Sequence, residues 1–253
     1  MHPLDNPSWH ALATLQSQFA MTAEHALRFR PEVCVHGGFP DIFAESPAAD
    51  AWASLASFGR EPVSLFSLHP LTPPAGWTIT RSVKLVEMVQ EDVAVRATEA
   101  ENKYGASIAE LSTEDLPQMS ALYEATRPGR KLYPRLMELG GFVGIKQGDL
   151  LVAMACLRLD ITGYREISTV GTLPGHTGRG YATALVGELA RRIRNAGKQA
   201  FLTVNTSNER ARAIYERLGF RSRLNLCSTT FRREDTRQDT RDDAQISAER
   251  ERP

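Results

Sequence analysis

Apolar and polar positions recur with two periods along this chain, and the alternation between them predicts its elements. In residues 9–29, Trp9, Leu12, Leu15, Phe19 and Ala23 fall near one face of a 3.6-residue repeat, which predicts a helix. Ser46 and Pro47 supply an N-cap and a first-turn proline for a second helix, ending at Phe58 before Gly59. Residues 63–68 and 77–89 read as strands, separated by the loop Pro70-Leu71-Thr72-Pro73-Pro74. From Leu111 the pattern sharpens. Ser112-Thr113-Glu114-Asp115 opens a helix through Ala125 that Arg127-Pro128-Gly129 stops, and a helix over 132–139 closes at Gly140-Gly141. Strands follow at 142–146, 150–159 and 166–173, then a helix at 181–196, a strand at 200–205, a helix at 207–218 and strands over 220–231.

The elements divide the chain into an N-terminal α+β lobe over residues 1–105, an α/β domain over 106–232 and a tail over 233–253. The tail is nearly all charged or polar, with Ile246 its one large aliphatic residue, so it is expected to stay disordered. The 253 residues have zero formal net charge, 42% hydrophobic and 24% charged residues. These values fit a globular protein and give no basic excess to suggest nucleic acid as a partner. Cys34, Cys156 and Cys227 lie far apart and form no CxxC pair, which argues against a disulfide framework and a zinc site. The N-terminus lacks a basic-then-apolar layout, and the longest apolar stretch, 150–157, is too short for a bilayer. A cytoplasmic protein with no membrane partner is the expectation; monomer and homodimer are both open.

The segment Val170-Gly171-Thr172-Leu173-Pro174-Gly175-His176-Thr177-Gly178-Arg179-Gly180-Tyr181-Ala182 carries the chemistry. A strand ends in a glycine turn that feeds a helix with Leu185, Val186, Leu189 and Ile193 on one face. Such a turn leaves N–H groups without partners at the positive end of the helix dipole, and glycines let an anion approach the backbone. Arg179 could add a charge-assisted contact. The plainer alternative is a glycine turn with no ligand. A P-loop is excluded, because no Lys-Ser or Lys-Thr follows the glycines. A dinucleotide fingerprint is disfavoured: Thr183 stands at the third glycine, and the next strand, 200–205, ends without an acid.

About thirty residues on, Asn208 to Phe220 reads N-x-x-A-x-x-x-Y-x-x-x-G-F, with Ala211 and Tyr215 four apart on one helix face. Together the two segments resemble the signature of the GNAT superfamily of acyl-CoA-dependent N-acyltransferases, over about residues 111–232. Residues 166–221 resemble especially the branch of glycine N-acyltransferase-like proteins, in which a further lobe precedes the acyltransferase lobe. The resemblance implies a mixed, splayed central sheet flanked by helices, with the N-terminal lobe a candidate degenerate half that walls the acceptor site. It implies transfer of an acetyl or short acyl group from acetyl-CoA to a small-molecule or peptide amine, by direct attack and without a metal. One position departs from the family pattern: Thr177 stands where Gln or Arg is usual. That departure motivates the alternative of a non-catalytic acyl-CoA-binding or regulatory module.

The resemblance also implies roles. Val170, Gly171 and Thr172 would hold the pantetheine arm, and Thr177, Gly178, Arg179, Gly180, Tyr181 and Ala182 the pyrophosphate. Asn208 and Ala211 would line the coenzyme, although Asn208 could equally be a helix cap. A backbone N–H near Thr172 would bond the thioester oxygen. Tyr215 is the candidate general acid, or else a packing tyrosine. Glu166 is the candidate general base, or else a strand carboxylate paired with Arg158 or Arg165.

Overall fold

The computed structural model describes residues 2–41, 47–91, 103–104 and 107–234. Eleven strands form one sheet in the order β1-β2-β3-β4-β11-β5-β10-β9-β8-β7-β6. In chain order they are β1 (Ala20–Ala23), β2 (Ala26–Phe29), β3 (His36–Gly38), β4 (Val63–Ser67), β5 (Trp77–Gln90), β6 (Ile108–Leu111), β7 (Phe142–Gln147), β8 (Leu150–Ile161), β9 (Tyr164–Thr172), β10 (Gln199–Asn205) and β11 (Phe220–Arg233). Among the described residues five α-helices flank it: α1 (Pro7–Ala13), α2 (Ala49–Ala56), α3 (Leu116–Thr126), α4 (Tyr181–Asn195) and α5 (Glu209–Arg217).

Strand alternation gives the sheet two different faces. On one, Val86, Met88, Leu202 and Val204 meet Leu185, Leu189 and Ile193 of α4 and Tyr215 of α5. On the other, Phe201, Met154 and Cys156 meet Leu12 of α1 and Met119 and Leu122 of α3. A third cluster packs Trp52 and Leu55 of α2 against Leu65 and Phe231. Burying a side chain such as Leu185 or Phe201 contributes roughly 1.5–3 kcal/mol each, so both faces are needed to hold the sheet.

Strand β5 comes from the first hundred residues but lies between β10 and β11, antiparallel to both. The sheet is therefore continuous from β1 to β6. A buried polar contact crosses the join: Arg223 on β11 binds Glu87 on β5 at 2.9 Å and also binds Asp5. Glu87 is fully buried, and one of its carboxylate oxygens has no partner among the described residues. Burial outweighs Arg223 and pushes its carboxyl up to about 7.

The helix expected over 9–29 is corrected. The α-helix ends at Ala13, a 3-10 turn follows at Ser17–Phe19, and β1 and β2 take the rest. Gln16 explains the break. Its side chain is buried and donates to the carbonyl of Arg158, 2.8 Å away on β8, a tertiary contact that helical periodicity does not encode. The stretch at 132–139 is a 3-10 helix, Pro134–Leu139, rather than an α-helix. The final strands are one long strand with a bulge at Arg223. The proposed cap Ser46 and residues 235–253 of the tail lie outside the described residues. Among the described residues no helix is long and apolar enough to cross a membrane.

Candidate active site

The site begins where two parallel strands part. β9 and β10 are hydrogen-bonded only at Tyr164–Gln199, Arg165–Ala200 and Glu166–Phe201, and beyond that they diverge. A bulge in β9 accounts for the divergence. Met154 and Cys156 on β8 pair with Gly171 and Ser168, so Thr169 and Val170 stand opposite one residue. Thr169 has φ of 56°, a left-handed conformation that a β-branched residue rarely adopts. Arg127, at the C-terminal end of α3, steadies the bulge by donating to the Val170 carbonyl at 2.8 Å. Its guanidinium lies over the ring of Tyr123.

The gap opens into a cleft of about 1080 Å³. At one end is the turn between β9 and α4. Gly175, Gly178 and Gly180 have φ of 83°, 82° and 89°, and Gly180 is the N-cap of α4 without any side-chain cap. The first backbone hydrogen bond into the helix is from Ala184 to Gly180. The N–H groups of Gly178 through Thr183 therefore have no protein acceptor among the described residues, and they sit at the positive end of a 15-residue helix. That is the cradle a pyrophosphate needs. Arg210 on α5 approaches Gly178, so a cation stands on its far side.

Within the gap, Val170, Gly171 and Thr172 line the cleft, as do Thr177, Gly178, Arg179, Gly180, Tyr181 and Ala182 at the turn. Leu173 donates its N–H to Val152 on β8. Alternation along the strand then turns the Thr172 N–H the other way, toward β10 and the gap. The side chain of Tyr181 is committed elsewhere, packed edge-on against Tyr104 and bonded to Gln147 at 2.5 Å, so its contribution to the turn is its backbone. Asn208 both lines the cleft and caps α5, accepting from the Ala211 N–H at 3.1 Å.

Tyr215 reaches the gap from α5 and is 8% exposed. Its ring packs near Phe220 and its hydroxyl makes no hydrogen bond to the described residues. Burial pushes the phenol up to about 12, partly offset by the charge of Arg127 from the opposite face. Tyr215 and Arg127 thus meet where β9 and β10 part.

Glu166 takes the second of its two expected placements. It is 1% exposed, does not line the cleft, and both its oxygens are taken by Arg158, at 2.7 and 2.8 Å. A carboxylate held by a bidentate guanidinium has no free lone pair aimed at a substrate. The geometry is that of the buried pair with Arg158, not of a general base. Arg158 does line the cleft, and its third contact is a 2.8 Å bond to Nε2 of His36 on β3. Burial and the charges of Arg158, Arg130 and Arg81 hold His36 well below its ordinary value, so it is neutral.

Arg127, Arg158, Arg81, Arg130 and His36 were not legible as site residues. They are basic side chains scattered over several elements with no motif spacing, and Arg127-Pro128-Gly129 reads only as a helix stop.

A curled sheet flanked by helices, with a parallel pair parting over a glycine turn, is the fold of the GNAT acetyltransferases. Comparison with known proteins agrees with that class. Residues 142–229 match the family model described as FR47-like protein. A candidate acetyltransferase from the GNAT family of Novosphingobium aromaticivorans is similar at 29% identity, with 93% of this chain and 100% of that chain covered and a TM-score of 0.80. A GCN5-related N-acetyltransferase from Kribbella flavida shares the fold at 17% identity and a TM-score of 0.54, over 91% of this chain and 98% of that one. No curated protein matches the sequence significantly.

Proposed function

We propose that this protein transfers an acyl group, acetyl first among them, from coenzyme A to the amine of a small molecule or peptide. The observation that carries the reading is the run of free N–H groups at Gly178–Thr183 opening into the gap between β9 and β10. A thioester supplies an activated carbonyl, and the chain's residues do the rest. The backbone of Gly178 to Ala182 holds the pyrophosphate, with Arg179 and Arg210 beside it. Val170 to Thr172 hold the pantetheine arm in extended form, and the Thr172 N–H donates to the thioester oxygen. The narrower placement among glycine N-acyltransferase-like proteins rests on the resemblance of residues 166–221 alone.

Tyr215 holds a proton beside the leaving sulfur. Burial raises the phenol to about 12, above a free thiol near 8.5, so Tyr215 keeps its proton more readily than it releases it. Tyr215 therefore acts first as a hydrogen-bond donor to the developing thiolate, which takes up the proton that the attacking nitrogen loses, so that the C–N bond forms as the C–S bond breaks and coenzyme A leaves as the free thiol. No side-chain base is required at Glu166. Among the described residues seven arginines and no carboxylate line the cleft, and such a field disfavours an ammonium, so the acceptor enters more readily as the free amine.

Calorimetry with acetyl-CoA, followed by a free-thiol release assay over a panel of amines, tests the reading. Micromolar binding with turnover supports it. Binding without turnover on any amine favours the acyl-CoA-binding module that Thr177 motivates, and no binding rejects both.

A further inference from the structure

The cleft has a second end. β10 pairs with β5, and β5 runs on past Asn205 through Val83 to Arg81. Arg81 pairs in register with Thr230 on β11, Thr230 with Ser64 on β4, and Ser64 with His36 on β3. Residues paired directly lie on one face, so this row lies on the face that carries α1 and α3, opposite α4 and α5. Arg130, just past α3, and Arg158 close it.

The basic side chains at this end, Arg81, Arg130, Arg158 and His36, are donors, and among the described residues no carboxylate lines it. Among the described residues Arg81 and Arg130 take part in no ion pair, and burial together with the charge of Arg130 disfavours the charged form of Arg81. Arg158 spends two contacts on Glu166 and donates a third to His36 Nε2. That bond fixes the imidazole with its proton on Nδ1. Nδ1 is buried without a partner, on a residue only 7% exposed that lines the cleft. A buried N–H without an acceptor is costly, and two unpaired guanidiniums beside it add repulsion. Phe66 stacks on His36 and gives the pocket one apolar wall.

We infer that Arg81, Arg130, Arg158 and His36 form an oxyanion subsite for the acceptor, so that the preferred acceptor is an amine that also carries a carboxylate side chain or a phosphate. The inference rests on the acyl-transfer reading for the word acceptor, while the subsite itself does not. A row of donors with two uncompensated positive charges matches a group that only accepts hydrogen bonds and brings negative charge beyond an α-carboxylate. Polyamines and aminoglycosides, which carry cations to this end, are disfavoured by the same field.

The test has two arms. In thiol release with saturating acetyl-CoA, glutamate, aspartate and glucosamine 6-phosphate are compared with glycine and spermidine. At least one acidic amine should exceed both neutral and cationic acceptors by about tenfold or more in kcat/KM. Glutamate against glucosamine 6-phosphate separates carboxylate from phosphate; a preference for glycine or spermidine overturns the subsite. Arg81→Gln and Arg130→Gln should each raise KM for the acidic amine by about tenfold, with kcat little changed, while Arg81→Lys keeps much of the affinity. Unchanged KM in both Gln variants also overturns it. The second arm is calorimetry of the wild-type protein with glutamate and with glucosamine 6-phosphate in the absence of coenzyme. Binding that Arg81→Gln removes supports the subsite even if acetyl-CoA fails to bind, an outcome that would reject the acyl-transfer reading alone. Acetyl-CoA binding with neither acidic amine bound rejects the subsite alone.

Discussion

Tyr215 and Glu166 look alike in the sequence, each a titratable side chain close to a motif, and the fold gives them opposite surroundings. The phenol stands at the gap with its hydroxyl unengaged, whereas the carboxylate lies beneath the cleft with both oxygens bound to Arg158. Tyr215→Phe keeps the ring and removes the donor. Turnover should fall by about 10²-fold or more with coenzyme affinity nearly unchanged, read by steady-state kinetics beside calorimetry. Full activity in the Phe variant would make Tyr215 a packing residue. Glu166→Gln should behave as a stability variant instead. Removing one partner of a buried pair costs about 3–5 kcal/mol, so thermal unfolding should move down sharply. Any loss of rate should not be restored at higher pH, because no base has been lost. Rescue at high pH would return Glu166 to the base role.

Among elements, the β9–α4 turn is the most exacting. Gly178 and Gly180 both hold positive φ while their N–H groups point into the cleft, so a side chain there is strained and also bars close approach of an anion. Gly180→Val should weaken acetyl-CoA binding by tenfold or more in calorimetry, and unchanged affinity would put the pyrophosphate elsewhere. Thr177→Arg, which restores the pattern of the resembled family, should strengthen binding by about 1 kcal/mol through a charge-assisted contact. This turn was legible because its requirement is local: three positive-φ positions within six residues demand glycine. α4 was legible for a similar reason, since its apolar stripe repeats over four turns. The error at residues 9–29 came from a stripe that was real only as far as Ala13. Beyond it Leu15 is exposed, Phe19 packs against the core and Ala23 lies in β1. Helical periodicity over so short a stretch does not distinguish these uses.

On the scale of the whole molecule, β5 is what joins the first hundred residues to the rest. It carries a buried carboxyl whose ionisation is linked to stability. Glu87 sits at about 7 when folded and near 4.5 in an unfolded chain. Between those values the folded state binds the extra proton, so Glu87's contribution to stability falls as pH rises from about 4.5 through 7. Glu87→Gln should therefore raise the melting temperature relative to wild type at pH 8, by an amount worth roughly 1–3 kcal/mol, with the gain shrinking toward pH 5. Thermal melts across that range decide it, and a gain that grows toward acid would show that Arg223 dominates. The sequence by itself determined the alternation of strands and helices after Leu111, the glycine turn and the helix that presents Tyr215, because each is a property of consecutive residues. Only the tertiary structure decided where β5 inserts, that Arg158 claims Glu166, and that Arg81, Arg130 and His36 share one end of the cleft. Those outcomes depend on which strands become neighbours and which side chains share a face, and neither is encoded in local periodicity, even for Arg158 and Glu166, eight residues apart.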